Sequence, residues 1–276
     1  MNLNTVQELR GARAVEQPDF AWREGDSWLA GGTWLFSEPQ PQVRRLFDLR
    51  DFGWEPLEVS SGGLRIAATC RIAELYALEP PADWHAAAMI GECCRAFLAS
   101  FKIWNEATVG GNICMSLPAS PMASLASSLE AIYTLRAQDG SERQIPAVEF
   151  TLGSHVTALQ PGELLRAIDI PEDVLRRRAA FRRSTLTHLG RSTALIIGTS
   201  HAPDQPFVLT ISASTPRPVQ LSFPKVPTAA ELRAAINEAI PEGAWFDDVH
   251  GAPAYRQHMS LHYAEQIRAE LAGGAA

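Results

Sequence analysis

The sequence predicts an α+β fold, with helices and mostly antiparallel strands sharing the chain without regular alternation. Three observations carry that prediction. An alternating segment follows Gly62-Gly63, a hairpin signal at Asp139-Gly140 lies between two strand-like runs, and a helical periodicity runs from His85 to Phe101. Each element has a local cause. Gly62-Gly63 supplies a turn, after which Leu64, Ile66 and Ala68 alternate with Arg65, Ala67 and Thr69 as in a half-buried strand. Past His85, the apolar positions Met89, Ile90, Cys93, Phe97, Leu98 and Phe101 recur at steps of three and four, which gives a helix one buried face. A loop is expected after it. Ala131 to Arg136 is rich in strand formers, Asp139-Gly140 suits a type I′ turn, and Ser141 to Val148 completes an antiparallel pair. Leu209, Ile211 and Ala213 alternate with Thr210, Ser212 and Ser214, and Pro216 to Pro218 turns the chain into Val219 to Phe223, a second hairpin. Thr228 and Glu231 form a capping box for the next helix, and Tyr255 to Leu271 gives the last helical pattern before an Ala-Gly tail.

Composition narrows the function. The 276 residues are 46 % hydrophobic and 20 % charged, an ordinary globular balance. The net charge of -7 repels polyphosphate, so nucleic acid is not an expected partner. No run reaches the ~18 apolar residues that a spanning helix needs. Met1 to Phe20 carries Glu8, Arg10, Arg13, Glu16 and Asp19 and lacks the apolar middle of a secretory signal. A soluble, cytoplasmic chain without membrane contact is therefore expected. The four cysteines, Cys70, Cys93, Cys94 and Cys114, match neither a disulfide scaffold nor a zinc ribbon and read as buried free thiols. With one adjacent pair only, they cannot hold an iron–sulfur cluster by themselves. His258 and His262 share a helical spacing but lack the H-E-x-x-H pattern, so no metal site is expected.

Phosphate-loop, dinucleotide-fingerprint and nucleophile-elbow motifs are absent, and no catalytic acid or base stands out. Two segments of one kind remain: Leu29-Ala30-Gly31-Gly32-Thr33 and Ala107-Thr108-Val109-Gly110-Gly111-Asn112. Paired glycines let the backbone turn and come close to a ligand, and successive amides can then point into one concavity that suits an anion. A threonine beside each pair adds a hydroxyl. Each Gly-Gly could also be a plain turn, and the repetition of the pattern favours a ligand. Two such loops would hold a diphosphate by neutral donors, without a metal.

These loops resemble those of the FAD-binding medium subunits of molybdenum hydroxylases, of the xanthine dehydrogenase and carbon monoxide dehydrogenase type. The resemblance rests on Ala30-Gly31-Gly32-Thr33, on Asn105 to Cys114, on Thr157 to Leu165 leading to Ile170-Pro171, and on Gly251 to His258. It implies a two-subdomain FAD-binding fold, at 1–55 and 56–175, followed by a C-terminal domain of antiparallel sheet and helices at 176–276. It implies that Leu29, Ala30, Gly31, Gly32, Thr33 and Trp34 bind the FAD pyrophosphate, and that Thr108, Gly110, Gly111 and Asn112 bind the diphosphate and ribityl side. Phe97, Leu98 and Phe101 would either face the isoalloxazine or pack the core. Arg182 would either bring positive charge to the flavin or stand as a solvated surface arginine, and the run Arg176-Arg177-Arg178 reads as a solvated face or a subunit contact. Two positions depart from the family pattern: Trp34 stands where Asp or a small polar residue is common, and Pro121 stands where an S-P-x-S-D segment has its Asp.

The function implied is electron transfer in a heterotrimer. A large subunit would carry molybdopterin, a small subunit 2Fe-2S clusters, and FAD here would pass electrons to NAD or another acceptor. The alternatives are a free-standing FAD-dependent oxidase or dehydrogenase, and a flavin-free scaffold subunit of the same complex.

Overall fold

The computed structural model describes residues 4–17 and 19–273. Met1 to Leu3 and Pro18 of the N-terminal stretch, and the Ala-Gly tail from Gly274, lie outside these described residues. The strands form three main sheets that succeed one another along the chain. The first is parallel: β1 (Glu8–Gly11), β2 (Asp26–Leu29) and β3 (Arg45–Asp48), with β3 in the centre. Arg45 of β3 binds both carboxylate oxygens of Asp26 in β2, at 2.7 and 2.6 Å, and this two-point bond fixes their register. The rings of Phe20, Trp22 and Trp28 gather on buried Phe47.

The second sheet is antiparallel, in the order β4 (Leu57–Ser60), β5 (Gly63–Ala67), β10 (Leu164–Pro171), β6 (Ile132–Arg136) and β7 (Glu142–Pro146). The expected β6–β7 hairpin forms around Asp139-Gly140, with Gly140 at φ +82°. Between β7 and β10 lies a small hairpin of β8 (Thr151–Gly153) and β9 (Val156–Thr157). Seven helices accompany this part: α1 (Ile72–Tyr76), α2 (Ala88–Ala96), α3 (Phe101–Trp104), α4 (Val109–Cys114), α5 (Pro121–Ser128), α6 (Ala147–Phe150) and α7 (Glu172–Leu175).

The third sheet runs β11 (Arg178–Thr185), β12 (Ser192–Ser200), β13 (Phe207–Ser212) and β14 (Val219–Phe223), all antiparallel neighbours. Helices α8 (Ala229–Ala239) and α9 (Pro253–Leu271) cover one face, where Ala194 and Ile196 meet Leu232, Ile236 and Ile267. Leu195 and Ile197 point the other way, into the core shared with α2, α4 and α5. A sheet covered on both faces explains why every residue of β12 and β13 is buried. The Thr210 and Ser212 alternation suggests a half-exposed strand, yet this polar side lies inside. Ser212 Oγ is 2.7 Å from Ser124 Oγ of α5 and donates to Leu195 O.

The helix expected from His85 to Phe101 is shorter: a 3-10 turn at His85–Ala87 leads into α2, which stops at Ala96. The Phe97 carbonyl leaves the helix and accepts the Trp104 Nε1–H at 3.1 Å, so a side chain from α3 satisfies it. Phe97 still packs on the core, whereas Leu98 and Phe101 are exposed, Phe101 by 72 %. The capping box at Thr228 and Glu231 is formed reciprocally. All four cysteines are free of disulfides, Cys70, Cys93 and Cys94 buried and Cys114 half-buried, and burial pushes the Cys70 and Cys94 thiols up to about 12, which leaves them inert. No described helix is long and apolar enough to cross a membrane.

Candidate cofactor site

The first glycine loop leaves β2 at buried Leu29. Gly32 adopts φ +70°, a left-handed turn that suits glycine, and its carbonyl accepts the Phe36 amide at 2.8 Å. The amides of Gly31, Gly32, Thr33 and Trp34 find no acceptor among the described residues. Since this stretch is half-buried to exposed, its donors are open to water or to a ligand. Four successive free N–H groups on a glycine turn form the sort of nest that binds an anion.

The second loop spends its donors differently. Thr108 caps α4, accepting the Gly111 amide on Oγ1 at 3.0 Å. Val109 and Gly110 donate to the Cys70 and Ala68 carbonyls at 2.8 and 3.0 Å, and Asn112 donates to Thr108 O. A Cβ on Gly110 would lie 2.5 Å from that of Ala68, so the glycine is needed for this packing. The reading that both loops present free amides therefore holds for the first loop only. What the second offers is a wall and side chains. Asn112 Oδ1 accepts from Ser120 Oγ at 2.7 Å and from Met122 N at 3.1 Å, which anchors the start of α5. Ser120 as cap followed by Pro121 at the first helical position is a helix-start signature legible in the sequence.

The two loops abut. A Cβ on Gly31 would fall 1.8 Å from Glu106 O, and one on Gly111 would lie 3.9 Å from Ala30 Cβ. Only a residue without a side chain at Gly31 allows the loops to close on each other. Beyond them, Ser116 is fully buried at φ +49°, with Oγ 2.7 Å from Gly153 O, and its carbonyl accepts the His155 amide at 3.0 Å. The β8–β9 hairpin is thus pinned to the end of the second loop, and His155 meets Trp34 at a ring separation of 6.3 Å. Ala213 N donates to Pro118 O, which docks the third sheet on the same segment. The segment from Thr157 to Leu165 is fastened too: Trp28 Nε1 donates to Glu163 O at 3.0 Å, and the Glu163 carboxylate holds Arg143.

Arg182 lies elsewhere. It shares a strand face with Ala180, which packs toward α9, and its guanidinium binds Gln266 at 3.0 Å and Glu270 at 2.7 Å. The charge proposed for the flavin is tied to that helix instead. Arg183 faces the opposite way and bonds Ser192 Oγ and Gly190 O, with burial lowering its pKa. Of the run Arg176-Arg177-Arg178, Arg177 is 11 % exposed and pairs with Glu130 and Asp173. No cluster of three metal-ligating side chains occurs among the described residues. Two clefts of about 470 and 510 Å³ lie away from the glycine loops, one beside α5 and β14 and one behind α2.

Residues 9–173, more than half of the chain, match the family described as FAD binding domain in molybdopterin dehydrogenase, and the chain belongs to that family. Xanthine dehydrogenase 1 of Arabidopsis thaliana is 29 % identical over 121 residues, 42 % of this chain and 9 % of the relative. The carbon monoxide dehydrogenase medium chain of Afipia carboxidovorans is 41 % identical over 74 residues, 27 % of this chain and 25 % of the relative. These aligned regions span a minor part of each relative's length. The Cu,Mo-CO dehydrogenase structure in its cyanide-inactivated form shares the fold over 100 % of both chains, with TM-score 0.81 at 22 % identity. Quinoline 2-oxidoreductase from Pseudomonas putida 86 does so over 99 % of both, with TM-score 0.77 at 20 % identity. The donor set fits the cofactor of the family: a diphosphate needs several neutral N–H donors at close backbone approach, and the first loop has them free.

Proposed function

We propose that this chain is the FAD-binding electron-transfer subunit of a heteromeric molybdopterin-dependent dehydrogenase. The observation that carries the reading is the row of free amides from Gly31 to Trp34, closed against the second glycine loop by the Gly31 contact with Glu106. Ala30 to Trp34 would hold the diphosphate through backbone donors. Thr108, Gly110, Gly111 and Asn112 would shape the opposite wall, with the Asn112 amide ordering the segment up to α5. FAD bound there supplies chemistry that joins one-electron clusters to a two-electron acceptor.

The division of the chain at 1–55, 56–175 and 176–276 accords with the three sheets, none of which spans a proposed boundary. A large molybdopterin subunit and a small 2Fe-2S subunit are the proposed partners, NAD or another acceptor the electron sink, and the cytoplasm the location. Cys70, Cys93 and Cys94, buried and free of disulfides, agree with clusters carried by another chain. The test is to recover this chain by an affinity tag from its native host and assay the co-purifying polypeptides for molybdenum and iron. A large molybdenum-containing chain with a small iron-containing one is expected. Recovery of the chain alone with full dehydrogenase activity would overturn the reading.

A further inference from the structure

Trp34 closes the row of free amides and remains 41 % exposed, a large aromatic surface left open beside polar donors. Its ring partner is His155, 6.3 Å away and tilted by 41°. That histidine sits at φ +59°, and its amide is held by Ser116 O, so the hairpin carrying it is fixed to the segment just past α4 while Trp34 comes from the first loop. The pair thus joins the first loop to the segment that follows the second. A dinucleotide held at its diphosphate by Gly31 to Trp34 extends one arm to each side. Leu98, Phe101 and Ile103, which come ahead of the second loop in the chain, are exposed as well. Beside the free amides themselves stand Trp34 and its partner His155.

We propose that Trp34, backed by His155, is the stacking platform for the adenine of the bound dinucleotide, an inference that rests on the flavoprotein reading above. The bicyclic indole matches the bicyclic purine in area. Bases stack on aromatic faces without needing directed hydrogen bonds, so this contact does not depend on the acidic or small polar side chain usual at position 34.

The test uses full-length apoprotein as wild type, W34A and W34F, with FAD, ADP and FMN as probes in equilibrium dialysis. Quenching of protein fluorescence is followed alongside, the Trp34 share being the difference between wild type and W34F. Because Trp34 is exposed, W34A should melt as the wild type does. W34A is expected to weaken FAD and ADP by a common factor, roughly 5- to 160-fold from the range of base–aromatic stacking, with FMN unchanged and W34F retaining most of the affinity. Equal FAD and ADP binding by W34A and wild type, or a loss confined to FMN, overturns the platform while the flavoprotein reading stands. A wild type that takes up no FAD overturns both.

Discussion

Gly31→Ala should separate the two glycine loops with the smallest chemical change available. The added methyl carbon would fall 1.8 Å from Glu106 O and 2.7 Å from Glu106 C, both backbone atoms that no rotamer change can move. Ordinary contact at roughly 3.5 Å requires the loops to part by roughly 1.5 Å. Overpacking of this kind costs about 1–3 kcal/mol, which for a chain of this size is about 2–10 °C in melting temperature. The displaced amides of Gly31 to Trp34 would lose their common focus, so flavin content should fall much more than stability does. The assay is flavin per chain from visible absorbance, read beside a thermal melt. Gly153→Ala is the control, since a Cβ there meets nothing within 4 Å. A Gly31→Ala protein with the flavin content and melting temperature of the Gly153→Ala control would refute the account of loop closure.

Other substitutions probe the frame around the site. Arg256 is 1 % exposed and donates to the carbonyls of Gly251, Thr193 and Ala213 and to the Asp248 carboxylate; Arg256→Met should destabilise the fold by about 3–5 kcal/mol in denaturant unfolding, and a loss under 1 kcal/mol would count against it. The Arg143 hydrogen bonds hold the Glu163 carboxyl below its ordinary range, despite the opposing effect of burial. Its contribution is therefore complete above the unfolded pKa and is lost as pH falls through the lower folded value. Glu163→Gln should flatten the acid limb of the stability profile below about pH 4.5, and an unchanged limb would exclude this pair as a source. Phe101→Ser, at a side chain 72 % exposed, should change stability by less than ~0.5 kcal/mol; a loss of 2 kcal/mol or more would return Phe101 to the core.

Much of this architecture is legible in the sequence where local rules act alone. The β6–β7 turn needs a residue tolerant of positive φ, and Asp139-Gly140 supplies it. The α8 start needs Thr228 and Glu231, and both act as written. What stayed hidden depends on distant partners. The polar face of β13 resembles a solvent face until Ser124 of α5 is laid against Ser212. The α2 stop depends on Trp104 reaching back to Phe97. The parallel pairing of β1 and β2 through β3 joins distant segments, and the Arg45–Asp26 ion pair that ties β2 to β3 forms only once they meet.

The site divides in the same way. The two Gly-Gly-Thr-type loops announce themselves, because glycines at a close approach cannot be replaced. Which loop keeps its amides free cannot be read from them. That depends on Cys70 and Ala68, which take the Val109 and Gly110 donors from a turn some forty residues earlier. Arg182 reads as a free cation in sequence, and only the fold turns it toward Glu270.

The most direct measurement is the visible absorption spectrum of the full chain, with release and chromatographic identification of its chromophore. FAD at about one per chain, lost in Gly31→Ala and retained in Gly153→Ala, is the predicted result. A folded, colourless protein that takes up no added FAD would contradict the account at its centre.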